Sequence, residues 1–234
     1  MNPKGVLTIN PSDQRNILCC PAELRDKNEL GIVQVWDLDN IGDECLTVHA
    51  HASTLSILEL NYDGSLLATA SEKGTLIRIF DTEKGTMVQE LRRGSEKVVI
   101  FSVSFHFQDE WLSCISDSGT LHIFNILAKE RVGERERRGQ TMSKNRKSMF
   151  NFMKFVNSYF GSEYSFAHFK NKFDTLTKIF FLPNFEVLLV SYDGHCSRLK
   201  FDKKNGGQCE ELSTSNFISR SKGGISGLMS ASKG

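Results

Sequence analysis

One short phrase recurs along the chain, and its spacing leaves few folds open. A glycine is followed by an alternating stretch and then by an aromatic residue with Asp or Asn after it. Gly31-Ile32-Val33-Gln34-Val35-Trp36-Asp37, Gly74-Thr75-Leu76-Ile77-Arg78-Ile79-Phe80-Asp81 and Gly119-Thr120-Leu121-His122-Ile123-Phe124-Asn125 are three copies. A looser fourth runs from Gly194 to Asp202 with Phe201 as its aromatic. The four aromatics lie 44, 44 and 77 residues apart, so the last interval is one period of 44 plus 33 residues.

A period of 44 falls inside the roughly 40–45 residues of a WD-repeat propeller blade, a four-stranded sheet that buries its faces only against its neighbours. Each copy is preceded by hairpin grammar: Leu66 to Ser71 before the turn at Gly74, Trp111 to Ser116 before Asp117-Ser118-Gly119, and Val187 to Ser191 before Tyr192-Asp193-Gly194. A generic antiparallel sandwich also has short strands and glycine turns, but gives no reason for one phrase to return at 44. The expectation is an all-β, WD-repeat-type β-propeller of about four blades over residues 1–212. Closed propellers have roughly four to eight blades. Here the opening Met1-Asn2-Pro3-Lys4-Gly5 leads straight into the first unit, and no spare strand is evident, so an incomplete ring is expected. Residues 213–234, rich in Ser and Gly without periodicity, read as a disordered tail.

Lys and Arg total 29 against 28 Asp and Glu, which excludes the global basic field of a general nucleic-acid binder and makes any anion site local. No run of about 18 apolar residues could span a bilayer, and the N-terminus lacks signal-peptide character, so the expected compartment is the cytosol. The six cysteines show no C-x-x-C spacing and lie on or beside apolar runs, as reduced core thiols do. No Walker loop, G-x-S-x-G, G-x-G-x-x-G or H-E-x-x-H occurs; neither an enzyme nor a metal or cofactor is expected.

The 33 extra residues lie in an insert at about 126–164, and they divide in two. Residues 129–147 hold eight Lys or Arg against three Glu, a local net of +5. Residues 148–169 hold eight of the chain's 23 aromatics. Phe152, Phe155, Val156, Tyr159 and Phe160 fall at i, i+3, i+4, i+7 and i+8, one apolar face at helical spacing, with Phe150 just ahead. Basic residues followed by an aromatic amphipathic stretch meet the two needs of a peripheral membrane anchor. The same stripe also suits core packing against the blades.

Between the second and third copies the chain reads Leu91-Arg92-Arg93-Gly94. Successive side chains of an extended segment point to opposite faces, so Arg92 and Arg93 address two separate places. Arginine's planar fork suits phosphate, and hydroxyls and a histidine from the flanking units would complete the donors: Ser71, Lys73 and Thr75 on one side, Ser116, Ser118, Thr120 and His122 on the other. A solvated edge pair balanced by Glu90 and Glu96 is the plainer alternative.

The run from Ala68 to Asp81, with Leu91-Arg92-Arg93-Gly94 ten residues on and Gly119 to Phe124 beyond, resembles the PROPPIN (WIPI) family of autophagy propellers. The similarity covers about residues 2–202. It implies a seven-bladed propeller that binds phosphatidylinositol 3-phosphate and phosphatidylinositol 3,5-bisphosphate at two rim sites. Arg92 with His51, Ser71, Lys73 and Thr75 would form the first. Arg93 with Ser116 or Ser118, Thr120 and His122 would form the second. The resemblance also implies that the insert carrying Phe150, Phe152, Phe155, Tyr159 and Phe160 enters the membrane.

Three departures accompany the likeness. The Cys114 to Gly119 segment is one residue shorter than the family's turn, the insert is richer in Phe, and the chain begins where the family would enter its fourth blade. The expected role is a phosphoinositide effector, peripheral on autophagosome-precursor and endosomal or vacuolar membranes, with autophagy proteins as partners. The rival is a WD-repeat scaffold that binds only proteins.

Overall fold

Alternating β-branched and aliphatic residues between glycine turns build eighteen strands among the described residues of this computed structural model. It describes residues 2–126 apart from positions 3, 23–29, 41 and 43, and residues 163–218 apart from 173 and 174. The first blade comprises β1 (Thr8–Ile9), β2 (Ile17–Pro21), β3 (Ile32–Asp37) and β4 (Leu46–His49). The second comprises β5 (Leu55–Leu60), β6 (Leu66–Ser71), β7 (Leu76–Asp81) and β8 (Met87–Arg92). In the third, β9 (Ile100–Phe105), β10 (Trp111–Ser116) and β11 (Thr120–Asn125) are joined, after the insert and the short β12 (Glu163–Tyr164), by β13 (Ala167–Lys170). The fourth comprises β14 (Thr177–Leu182), β15 (Glu186–Ser191) and β16 (His195–Lys200), then, after the short β17 (Gly207–Gln208), β18 (Glu210–Asn216).

Each blade is an antiparallel meander, and the blades bury their faces against one another in three apolar clusters. Ile17, Val33 and Val48 meet Leu58, Leu67 and Phe80 between blades 1 and 2. Ile77, Ile79 and Leu91 meet Leu112, Cys114 and Phe124 between blades 2 and 3. Trp111, Leu121 and Phe166 meet Leu189, Leu199 and Phe201 between blades 3 and 4. Four blades with three junctions make an open arc among the described residues, as the sequence led one to expect.

The recurring phrase now has a physical cause at both of its ends. Its aromatic faces the preceding blade: Phe80, Phe124 and Phe201 are 4%, 0% and 2% exposed, while Trp36, with no blade before it among the described residues, is 37% exposed. Its glycine lets the next blade's chain pass close by. Gly74 has φ +62°, and a Cβ there would sit 2.2 Å from the Val98 carbonyl oxygen.

Two-residue parallel strands lace the blades further. The connection between the third and fourth strands of blade 3 supplies β12, which pairs with β8 of blade 2. The corresponding connection of blade 4 supplies β17, which pairs with β13 of blade 3.

The reading of residues 213–234 as disordered is corrected at its start. β18 continues through Ser213, Thr214, Ser215 and Asn216, paired with β16, and the Ser197 and Thr214 hydroxyls lie 2.9 Å apart. An edge strand with one partner and one solvated face needs no apolar alternation, so its polar composition was misleading. Residues 219–234 lie outside the described residues. All six cysteines are free; Cys19, Cys114 and Cys209 are buried, and burial pushes each thiol up to about 12.

Replacing Phe124 by Ala is expected to cost roughly 3–5 kcal/mol, because a fully buried ring leaves a cavity between two blades. Replacing Trp36 by Ala should cost roughly 1–2 kcal/mol. Urea unfolding of the two variants checks the contrast; equal losses would contradict the stacking role.

Candidate anion sites at the paired arginines

The end of β8 places the two arginines on opposite sides of blade 2. Leu91 points into the blade 2–3 cluster, so Arg92, its neighbour in an extended strand, faces blade 1. There it lies beside Leu76 in the ladder and shares a face with Ser71, Thr69, Arg78 and Glu90. Arg93, just past the strand, is held the other way. Its backbone N–H donates to the Thr75 carbonyl at 3.0 Å, its Nε donates to the Gly74 carbonyl at 3.0 Å, and its Nη2 donates to the Glu96 carbonyl. Both arginines are largely buried, at 4% and 9% exposure.

On the blade 1 side, His51 follows the outer strand of that blade and reaches across to Thr69, with Nε2 2.9 Å from Oγ1. The Thr69 hydroxyl donates to the Arg78 carbonyl at 3.3 Å. Arg78 donates from Nη1 to the Ala50 carbonyl at 2.6 Å and pairs through Nε with Glu90 at 2.9 Å. Burial, reinforced by the Arg78 charge, pushes His51 down to about 4, against a hydrogen bond to Thr69. Ser71 ends β6, and Lys73 and Thr75 belong to the turn that follows; the Gly74 N–H donates to the Ser71 carbonyl at 2.8 Å. At the lip of this turn Lys4 pairs with Glu72 at 2.5 Å.

On the blade 3 side, Cys114, His122 and His168 form one cross-strand row, and Thr120 lies opposite Lys170. Burial pushes His122 down to about 4, and the charges of Arg93 and His168 push the same way. The Arg93 guanidinium is itself lowered by burial, offset by Cys114, Asp117 and Glu96. Arg93 and His122 therefore feel each other's charge across the junction. The Ser116 and Ser118 hydroxyls are 2.9 Å apart, so the turn brings the two alternatives together.

Sequence reasoning missed Thr69 and Arg78 on the first side, and Ser165, His168 and Lys170 on the second; Glu90, read as a balance for the arginine pair, pairs with Arg78. His122 Nδ1 lies 3.2 Å from the Ser165 hydroxyl, and Lys170 donates to the Ser118 carbonyl. The alternation Ala167-His168-Phe169-Lys170 was the available signal, masked by the insert before it. The fourth copy of the phrase makes no such site: Asp193 pairs with His195 at 3.0 Å in its turn, presenting a carboxylate where an anion would approach. Phe150, Phe152, Phe155, Tyr159 and Phe160 lie outside the described residues. Among those described, no group of three or more His, Cys, Asp or Glu could hold a metal, and no helix is long and apolar enough to cross a membrane.

Stacked four-stranded blades with polar sites at two successive junctions define the chain as part of a β-propeller. The PROPPIN family model matches residues 1–218, and the chain belongs to that family. It is 36% identical to Autophagy-related protein 18e of Arabidopsis thaliana, over 94% of this chain and 54% of that protein. It is 29% identical to the human WD repeat domain phosphoinositide-interacting protein 1, over 93% of this chain and 49% of that one. The fold matches Kluyveromyces lactis Hsv2p with a TM-score of 0.68 at 23% identity, covering 91% of this chain and 61% of that structure. The chain thus spans about half the length of the curated relatives it matches.

His51 and His122 take up a proton near pH 6.5 when unfolded but only near 4 when folded, so acidification through that window favours unfolding. A His122→Gln variant removes one of these sites. Its stability should fall less than the parent's between about pH 7.5 and about pH 5, by on the order of 1 kcal/mol. Urea midpoints at the two pH values check this; parallel loss in both proteins would refute it.

Proposed function

We propose that this chain is a phosphoinositide-binding effector that attaches peripherally to membranes from the cytosol and acts in autophagosome formation. Its ligands are phosphatidylinositol 3-phosphate and phosphatidylinositol 3,5-bisphosphate. One headgroup is taken by Arg92 with His51, Ser71, Lys73 and Thr75, and a second by Arg93 with Ser116, Ser118, Thr120 and His122. The observation that carries the reading is the opposed pair: one strand end sends adjacent arginines to two successive blade junctions, each with a half-buried histidine and hydroxyls beside it. Membership of the PROPPIN family supports it, as does the name of the human relative, a phosphoinositide-interacting protein.

The chemistry is recognition without bond making. Each guanidinium offers fixed N–H donors, and the hydroxyls of Ser71, Ser116 and Thr120 add neutral ones. The histidines start neutral, and a phosphate beside them favours the imidazolium, so binding takes up protons. Two modest sites on one rim gain avidity when their lipids share a membrane. The insert with Phe150, Phe152, Phe155, Tyr159 and Phe160 adds apolar anchoring beside its +5 segment, and docking brings autophagy proteins to autophagosome-precursor and endosomal or vacuolar membranes.

Flotation with vesicles containing phosphatidylinositol 3-phosphate tests the reading. Each single replacement, Arg92→Thr or Arg93→Thr, should weaken binding roughly tenfold, as expected for loss of a charge-assisted contact to phosphate, and the pair should abolish it. Undiminished binding by the double variant would favour the protein-only scaffold instead.

A further inference from the structure

The blade ends opposite the arginine-bearing turns carry a second built surface. Antiparallel order fixes its place. The β9–β10 turn, the β14–β15 turn and the connection after β16 all lie at the end away from the β6–β7 and β10–β11 turns. There a cavity of about 380 Å³ opens on blade 4, lined by Phe185 and Phe201 and by Lys200, Lys203 and Lys204.

Two carboxylates also line the cavity, and one of them, Asp202, is engaged by its own turn. Asp202 Oδ1 accepts the backbone N–H groups of Lys204 at 2.8 Å and Asn205 at 3.2 Å, and its Oδ2 accepts from the Asn205 amide at 2.7 Å. Glu210 stands opposite Lys200 in the β16–β18 ladder. Among the described residues, neither Lys203 nor Lys204 forms an ion pair. Lys203 Nζ instead sits 4.4 Å from the centre of the Phe185 ring, a cation–π contact that keeps an ammonium over the aromatic floor.

The cavity wall is held in place from several sides. The Gly206 N–H donates to the Asp202 carbonyl and the Gly207 N–H to the Phe166 carbonyl, each at 2.9 Å, and β17 anchors the connection on blade 3. Gly206 has φ +65°, and a Cβ there would sit 2.2 Å from the Phe166 carbonyl oxygen. Phe185 is fixed in a left-handed turn at φ 61° and stacks on His106, whose neighbour Phe107 is 59% exposed. The aromatic surface thus continues beyond the cavity.

We propose that this cavity receives an acidic peptide segment of a partner protein, one aromatic side chain resting against Phe185 and flanking carboxylates meeting Lys203 and Lys204. Three lysines against two carboxylates favour an anionic partner, and shape favours a peptide. A recess at the small end of ligand-pocket volumes takes a single side chain, whereas a flat lipid surface cannot fill it. Because it lies at the other end of the blades, it is accessible whether or not the arginine sites are occupied. It stands independently of the lipid reading.

The test uses the whole chain without lipid and a fluorescein-labelled peptide of sequence Asp-Glu-Phe-Glu-Asp as probe, read by fluorescence polarisation. The proposal expects saturable binding that falls roughly tenfold in Lys203→Glu/Lys204→Glu protein and in Lys203→Ala/Lys204→Ala protein, as for lost charge-assisted contacts. It also expects a similar fall when the peptide's Phe is replaced by Ala, and no change in Arg93→Thr protein. Unchanged melting temperatures confirm that the lysine variants fold, as exposed positions should allow. Absence of saturable binding to the intact chain, equal binding by both lysine variants, or equal binding of the Phe-less peptide overturns it. Loss of binding to phosphatidylinositol 3-phosphate vesicles in the lysine variants, with peptide binding kept, would mark a membrane contact instead and equally overturn it.

Discussion

Face-to-face burial between neighbouring blades is the interaction on which the rest of this structure depends. No single four-stranded sheet here could bury both its faces, and each blade's apolar residues find cover only on the next one. The phrase that recurs every 44 residues is the chemical record of that need. Its aromatic reaches back to the preceding blade, and its glycine makes room for the chain that leads to the following one. Trp36 shows the rule by exception, standing part-exposed where no earlier blade covers it among the described residues.

The candidate sites are by-products of the same stacking. A junction between two blades brings together the end of one blade's second strand, the turn after it and the outer strand's last residue. Where that residue is one of two consecutive arginines, a single strand end serves two junctions. Burial then does the electrostatic work: it keeps His51 and His122 neutral and desolvates the guanidinium of Arg93. Four copies of the blade do not make four sites, because the fourth places Asp193 against His195 in the equivalent turn.

Much of this was legible because it rests on local, repeated patterns. Leu66–Ser71 and Trp111–Ser116 occupy the strand positions their alternation indicated, and the opposition of Arg92 and Arg93 followed from strand geometry alone. What could not be read lacks a local pattern. β12 and β17 are two residues long and exist only because a neighbouring edge receives them. β18 is polar because its edge faces solvent. Arg78 and Lys170 became candidates only when register set them beside His51's partner Thr69 and beside Thr120, since cross-strand neighbours are far apart in sequence.

The central claim is that the two arginines serve two independent anion sites, and stoichiometry tests it most directly. Isothermal titration of the chain with soluble inositol 1,3-bisphosphate should give two headgroups per chain, with one remaining in Arg92→Thr protein and one in Arg93→Thr protein. A single headgroup per chain, lost entirely in either variant, would mean that both arginines serve one pocket and would contradict the account.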